Sequence, residues 1–159
     1  MPTIELETRI AAPVERVFDL CRSIEAHTES TSRSDERAIG GRTSGLIGLG
    51  EHVTWSARHF GIRWRLTSRI VAFDRPRHFR DSMVEGVFAR FDHDHWFHPD
   101  GDGTRAVDRF DYTSPLGVLG RIADALVVRR HLERFLDERM QTIRRLAESD
   151  GWRRFLPTA

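Results

Sequence analysis

The chain has 159 residues, 39% hydrophobic and 31% charged, the size and balance of one globular domain whose core needs no disulfide or metal staple. Its 25 basic residues, all arginine, face 24 acidic ones, so a net charge of +1 directs it neither to nucleic acid nor to an anionic membrane surface. Cys21 is the one cysteine, which excludes an intramolecular disulfide, and no apolar run approaches the ~18 residues of a membrane span.

The N-terminus, Met1 to Glu5, has no basic start or apolar signal core, so the expected location is the cytoplasm. Thr3 to Ile10 alternates, with Ile4, Leu6, Thr8 and Ile10 on one face, and predicts a half-buried strand. Pro13 is a helix-start signal, and Val14, Val17, Phe18 and Cys21 follow at helical spacing. His27 to Arg37 is polar and rich in Ser and Thr, and reads as a loop. The glycines between Ile39 and Gly50 precede no Gly-Lys-Ser/Thr and match no phosphate loop, so a short strand with turns is expected there.

From Gly50 the period is two. Val53, Trp55, Ala57 and His59 share a face, Phe60-Gly61 is a turn, and Ile62, Trp64, Leu66, Ser68 and Ile70 share the next inner face. Asp74-Arg75-Pro76 breaks the pattern. Phe79, Asp81 and Met83 form another inner set, then Phe91, His93, His95 and Phe97, then Thr104, Ala106, Asp108, Phe110 and Tyr112 after the turn at 99–103. Pro115 opens a final helix of about thirty residues, ~45 Å at 1.5 Å per residue, with a kink expected near Arg129–His131. The arginines along it read as a solvated face. The domain is expected over residues 1–150, with a tail over 151–159.

Strand, short helix, about six antiparallel strands and a long helix make an α+β order. That order and several strings resemble the START-like, helix-grip superfamily, in which a curved antiparallel sheet wraps a long C-terminal helix. The strings include the stretch from Thr8 to Phe18, Gly50 to Trp55, Phe79-Arg80-Asp81, His93 to Phe97, Gly103 to Asp108 and Tyr112 to Gly117. The resemblance covers almost the whole chain and is strongest to a bacterial ligand-binding subgroup with a His-x-His strand. It implies a cavity between sheet and helix for apolar ligands, and it specifies fold better than activity.

Period two puts His93 and His95 on one face, about 6.6 Å apart along the strand. A hairpin pairing Phe97 with Thr104 sets His95 opposite Ala106, His93 opposite Asp108 and Phe91 opposite Phe110, so a buried His93–Asp108 hydrogen bond is expected. Three readings stand: satisfied polar groups inside the sheet, a polar spot that orients a ligand, or a catalytic base or metal ligand. Two histidines and a carboxylate suit Zn or Fe(II), yet the resemblance implies no metal and no cofactor. Asp81 needs a partner if buried, and Arg139, at a nominally apolar helix position, is the expected one. Tyr112, the only tyrosine, is expected near the cavity mouth, where it would orient or protonate a ligand carbonyl. Trp55, Trp64, Leu66, Phe79, Met83, Phe91, Phe110 and Leu126 are the expected apolar wall. Cys21 reads as a core thiol, and no Gly-x-Ser-x-Gly elbow exists.

The expected function is binding of a small hydrophobic molecule (lipid, polyketide or similar metabolite) as carrier or sensor. The alternatives are a polyketide cyclase, aromatase or dehydratase using His93, Asp108 and Tyr112, and a protein-interaction domain with a collapsed cavity and an exposed apolar patch. The expected partner is a small ligand, with no nucleic acid and no integral membrane; monomer and homodimer both stay open.

Overall fold

Wherever the sequence alternates with period two, the chain is sheet. The computed structural model of the protein describes residues 2–115, 117 and 127–157. Seven antiparallel strands are present: β1 (Thr3–Ile10), β2 (Arg37–Gly41), β3 (His52–His59), β4 (Ile62–Asp74), β5 (His78–Glu85), β6 (Arg90–Asp100) and β7 (Gly103–Thr113). They form one sheet in the order β1-β7-β6-β5-β4-β3-β2. Helices α1 (Val14–Cys21) and α2 (Ile24–Ser30) follow β1, and α3 (Arg129–Glu148) follows the sheet and packs against β1, α1 and α2. This is the helix-grip arrangement that the order of elements implied.

The core lies between the sheet and the helices. Phe18 of α1 is fully buried, with the rings of Phe73, Phe79 and Phe97 set edge-on at 5.3–5.4 Å. Edge-to-face contacts of this kind add to the hydrophobic gain of burying the ring. A second group, Ile4, Phe91, Phe110, Tyr112 and Leu136, closes the other end of the layer.

Four expectations change. The stretch from His27 to Arg37 is not all loop: α2 covers its start, and Ser32–Ser34 makes a 3-10 turn. Ser23 caps α2, its hydroxyl accepting from the Ala26 amide at 3.3 Å, and the helix buries Ile24 and Ala26 just before the polar run begins. Second, Ile62 is 55% exposed although it belongs to the inner set. Pairing of β4 with β5 starts only at Thr67, so residues 62–66 project with β3 as a two-stranded ribbon. Third, the β6–β7 register is two residues off, because pairing runs on through Pro99–Thr104 to Asp100–Gly103 and leaves a tighter turn. His95 therefore faces Asp108, His93 faces Phe110 and Phe91 faces Tyr112.

The fourth concerns the final helix. α3 starts at Arg129 and has 20 residues, about 30 Å. A wider π-type turn at 127–128 precedes it, close to the expected kink. The stretch 118–126, on which the first part of the predicted helix falls, lies outside the described residues, and so does Leu126. After α3, Asp150–Arg154 forms a 3-10 turn, Leu156 joins the core, and Trp152 and Phe155 pack on it.

Candidate functional site

Between the sheet and α3 lies a cavity of about 410 Å³, within the ordinary range for small-molecule sites. Its apolar wall includes Trp55, Trp64, Leu66, Phe79, Phe91 and Phe110 from the strands, and Leu132, Phe135 and Leu136 from α3. Phe60 and Trp64, on the β3–β4 ribbon, line it and are also exposed to solvent.

One group of polar side chains in this wall brings together residues from four elements. Asp81 of β5, His93 and His95 of β6 and Arg139 of α3 all line the cavity, and Asp108 of β7 is buried behind the histidines. Register explains the grouping: Asp81 pairs directly with His93, and His95 with Asp108, so two histidines on the middle strand sit between one aspartate on each side. The diagonals close the pattern. His93 Nε2 donates to Asp108 Oδ1 at 3.0 Å and His95 Nε2 to Asp81 Oδ1 at 3.1 Å. His93 Nδ1 is 3.8 Å from Asp81 Oδ1. His95 Nδ1 lies 2.7 Å from Asp108 Oδ1 but out of line for a hydrogen bond, so that contact is between charges. The imidazole rings are 3.9 Å apart, and Phe79 stacks on His95 at 4.2 Å.

Electrostatics sorts these groups. Burial, helped by neighbouring His95, pushes His93 below the usual histidine range despite its two aspartate neighbours, which leaves it neutral at pH 7. Burial also opposes a charge on His95, but Asp108 and Asp81 outweigh it and raise its pKa. Burial would raise both aspartates, yet the histidine contacts win and both are held below the usual carboxylate range. Arg139 Nη1 lies 3.9 Å from Asp108 Oδ1, and its Nη2 donates to the Cys21 carbonyl at 3.2 Å. At a pH below the raised His95 value, two carboxylates thus face two cations, His95 and Arg139, with His93 as a neutral base. Buried charges persist only when balanced in this way.

Several sequence expectations are displaced. The His93–Asp108 bond is present, but as a diagonal rather than a facing pair. Arg139 reaches Asp108, not Asp81, whose partners are the two histidines. Tyr112 is completely buried among Ile4, Phe110 and Leu136 and does not line the cavity, and Met83 packs in the same region without reaching it.

Other polar lining residues carried no strong sequence signal. His27 bonds to Glu36 at 3.2 Å and stacks on Trp55 at 4.2 Å. Although burial raises the Glu36 carboxyl, the His27 and Thr31 contacts outweigh it and hold it low. His59 Nδ1 and His131 Nε2 are 2.9 Å apart, which joins β3 to the first turn of α3. Burial pushes both of these histidines down. Cys21 also lines the cavity, with its thiol pushed up by burial to about 12.

A seven-stranded curved sheet gripping one long helix around a cavity defines the helix-grip class. Residues 1–148 match the family described as polyketide cyclase / dehydrase and lipid transport, and the chain belongs to that START-like family. No curated protein matches. Among solved structures, a protein from Thermus thermophilus is similar at TM-score 0.75 and 22% identity, over 91% of this chain and 95% of that one. A START superfamily protein from Mycobacterium smegmatis has TM-score 0.70 and 12% identity, over 92% and 97%. The ginseng major latex-like protein 151 from Panax ginseng has TM-score 0.68 and 16% identity, over 93% and 98%. At these identities the likeness is one of fold. Among the described residues no helix is long and apolar enough to cross a membrane.

Proposed function

We propose that the protein binds one small, mostly apolar molecule that carries an oxygen function, as a carrier or sensor in the cytoplasm. The observation that carries this reading is the cavity: about 410 Å³, walled largely by aromatic and aliphatic side chains, with a few groups of polar side chains set among them, the Asp81–His93–His95–Arg139 patch foremost. Apolar walls supply affinity, and a few placed polar groups fix orientation. Arg139 adds a specific reason for the oxygen. It is 4% exposed and lines the cavity, and its Nε has no hydrogen-bond partner among the described residues. A ligand carbonyl or carboxylate would satisfy that donor. An open cavity also speaks against the interaction-domain alternative, which requires a collapsed one.

The test is native mass spectrometry of the purified protein, followed by organic extraction, on the unaltered chain and on Ala57→Leu. Ala57 lines the cavity, so the added bulk occupies ligand space. The expected result is one organic molecule per chain, reduced or absent in the variant. A clean mass together with no saturable uptake of an apolar fluorescent probe would overturn the reading.

One observation favours a second reading, proton transfer on the bound molecule. His93 lines the cavity, is held neutral, and is oriented by a buried carboxylate, as a general base requires. Asp108 is then a positioning residue, and Tyr112 has no part. Turnover of a poly-β-keto thioester that disappears in His93→Gln while binding persists would establish this reading. Loss of affinity alone, without turnover in the unaltered protein, would refute it.

A further inference from the structure

We propose that Asp81, His93 and His95 form a site for one divalent transition-metal ion, of the class that takes two imidazoles and one carboxylate. This inference does not depend on the ligand reading, since an ion could occupy the patch whether or not an organic molecule fills the cavity. One donor atom from each of the three residues lies within 4.8 Å of the others. Asp81 Oδ1 is 3.8 Å from His93 Nδ1 and 3.1 Å from His95 Nε2. Donors about 2.0–2.2 Å from a tetrahedral Zn²⁺ ion stand roughly 3.3–3.6 Å from one another, so side-chain rotations on the order of 1 Å at the donor atoms close the set.

The nitrogens left over strengthen the case. Each imidazole turns one nitrogen to Asp81 and the other to Asp108: His93 Nε2 is 3.0 Å and His95 Nδ1 2.7 Å from Asp108 Oδ1. One buried carboxylate thus stands behind both ligating rings: it accepts from His93 Nε2, as the group that fixes a ligating tautomer does, and lies beside His95 Nδ1, while the ion would displace to solvent the proton that His95 Nε2 donates to Asp81. Arg139 leans on Asp108, at 3.9 Å, and thereby balances the supporting carboxylate. All three ligands line the cavity, so the remaining coordination positions open toward it. Imidazole nitrogen selects Zn²⁺, Fe²⁺ or Co²⁺ over Mg²⁺ or Ca²⁺. The open positions would take a water or an oxygen of a bound molecule.

The experiment uses the full chain without a histidine tag, stripped with a chelator and free of added organic ligand. Zn²⁺ is titrated calorimetrically, and Co²⁺ by its visible absorption. The expected result is one tightly held ion per chain, with Co²⁺ bands unchanged in Cys21→Ser. Asp81→Asn should weaken binding about 100-fold, and Asp108→Asn, which leaves the ligands in place, by about 10–100-fold. If a variant fails to fold by circular dichroism, the unaltered chain decides: Zn²⁺ should shift the ring resonances of two of its eight histidines. No saturable uptake, uptake unchanged in a folded Asp81→Asn variant, or shifts in none or in many histidines would overturn the proposal. None of these readouts reports on the apolar ligand, so failure here leaves the cavity reading to its own test.

Discussion

Asp108→Asn tests the charge balance of the buried patch. Asp108 is 3% exposed, accepts from His93 at 3.0 Å, and faces the cations of His95 at 2.7 Å and Arg139 at 3.9 Å. The amide is nearly isosteric, so the main loss is the charge. Two buried cations are then left with Asp81 alone. Breaking a buried pair by removing one partner costs about 3–5 kcal/mol. At roughly 2–4 °C per kcal/mol for a chain of this size, the melting temperature should fall by about 6–20 °C. Adding Arg139→Met to Asp108→Asn removes one unmatched cation and restores one-to-one pairing of His95 with Asp81. The double variant should therefore lose less than the two single losses added together, with a coupling of at least about 1 kcal/mol. The bond from Arg139 to the Cys21 carbonyl is lost in both arms of this cycle and cancels. Urea denaturation followed by circular dichroism measures all four chains. A loss below about 1 kcal/mol for Asp108→Asn, or strict additivity in the double variant, would refute the balance of two carboxylates against two cations.

Three further outcomes follow from the packing and from the remaining titratable groups. Phe18→Ala removes a fully buried ring from among Phe73, Phe79 and Phe97 and should cost about 3–5 kcal/mol in urea denaturation, with the denaturant slope unchanged. Cys21 is buried, with its thiol pushed up to about 12, so an aromatic disulfide reagent should leave it unlabelled in the fold and react fully only in denaturant. His59 and His131 are both depressed below 6.5, chiefly by burial; Glu36 partly opposes this at His59, and Glu138 at His131, where Arg134 reinforces it. A base with a lowered folded pKa binds more protons when unfolded, so this pair's stability is present above 6.5 and is lost as pH falls through 6.5 toward the folded values. Between about pH 7 and 5, His131→Gln should flatten the fall of melting temperature, and an unchanged slope would count against a neutral pair.

Alternation was the readable part of this fold because it is local. Placing His93 and His95 on one face needs only the two-residue period, and the same holds for Asp81 and Asp108. An error of two in the β6–β7 register leaves every inward residue inward, so the patch survived it while its facing pairs changed. What a helix residue meets is set by how far α3 is shifted along the sheet, and no local spacing encodes that, so spacing alone cannot tell that Arg139 meets Asp108 and not Asp81. Facing inward is also different from facing the cavity. Tyr112 lies on the inner face of β7, but Ile4 and Leu136 cover it from other parts of the chain. Helix α2 carries a local signal that its polar composition masks, Ser23 before Ile24 as a cap. The His59–His131 contact carried none, since it joins residues 72 apart in sequence.

The polar patch is costly as structure, and that bears on why it sits on a cavity wall. Apolar residues of similar volume often stabilise a core as well as a buried ion pair does, or better. A network of this kind is weak as a stability device and strong as a means of fixing the position and charge of a few atoms. Outside the cavity the chain uses a comparable group for sheet cohesion: Asp94 takes two bonds from Arg80 at 2.8 Å and one from His78 at 2.7 Å, and Arg80 is 42% exposed in its side chain. That group keeps one member in solvent, which lowers its desolvation cost. The inner group has a smaller outlet: His93, His95, Asp108 and Arg139 are all at most 6% exposed, and the Asp81 side chain is 18% exposed. Three of these four line the cavity, together with Asp81, and that places the cost where a bound molecule or ion would benefit from preset charges.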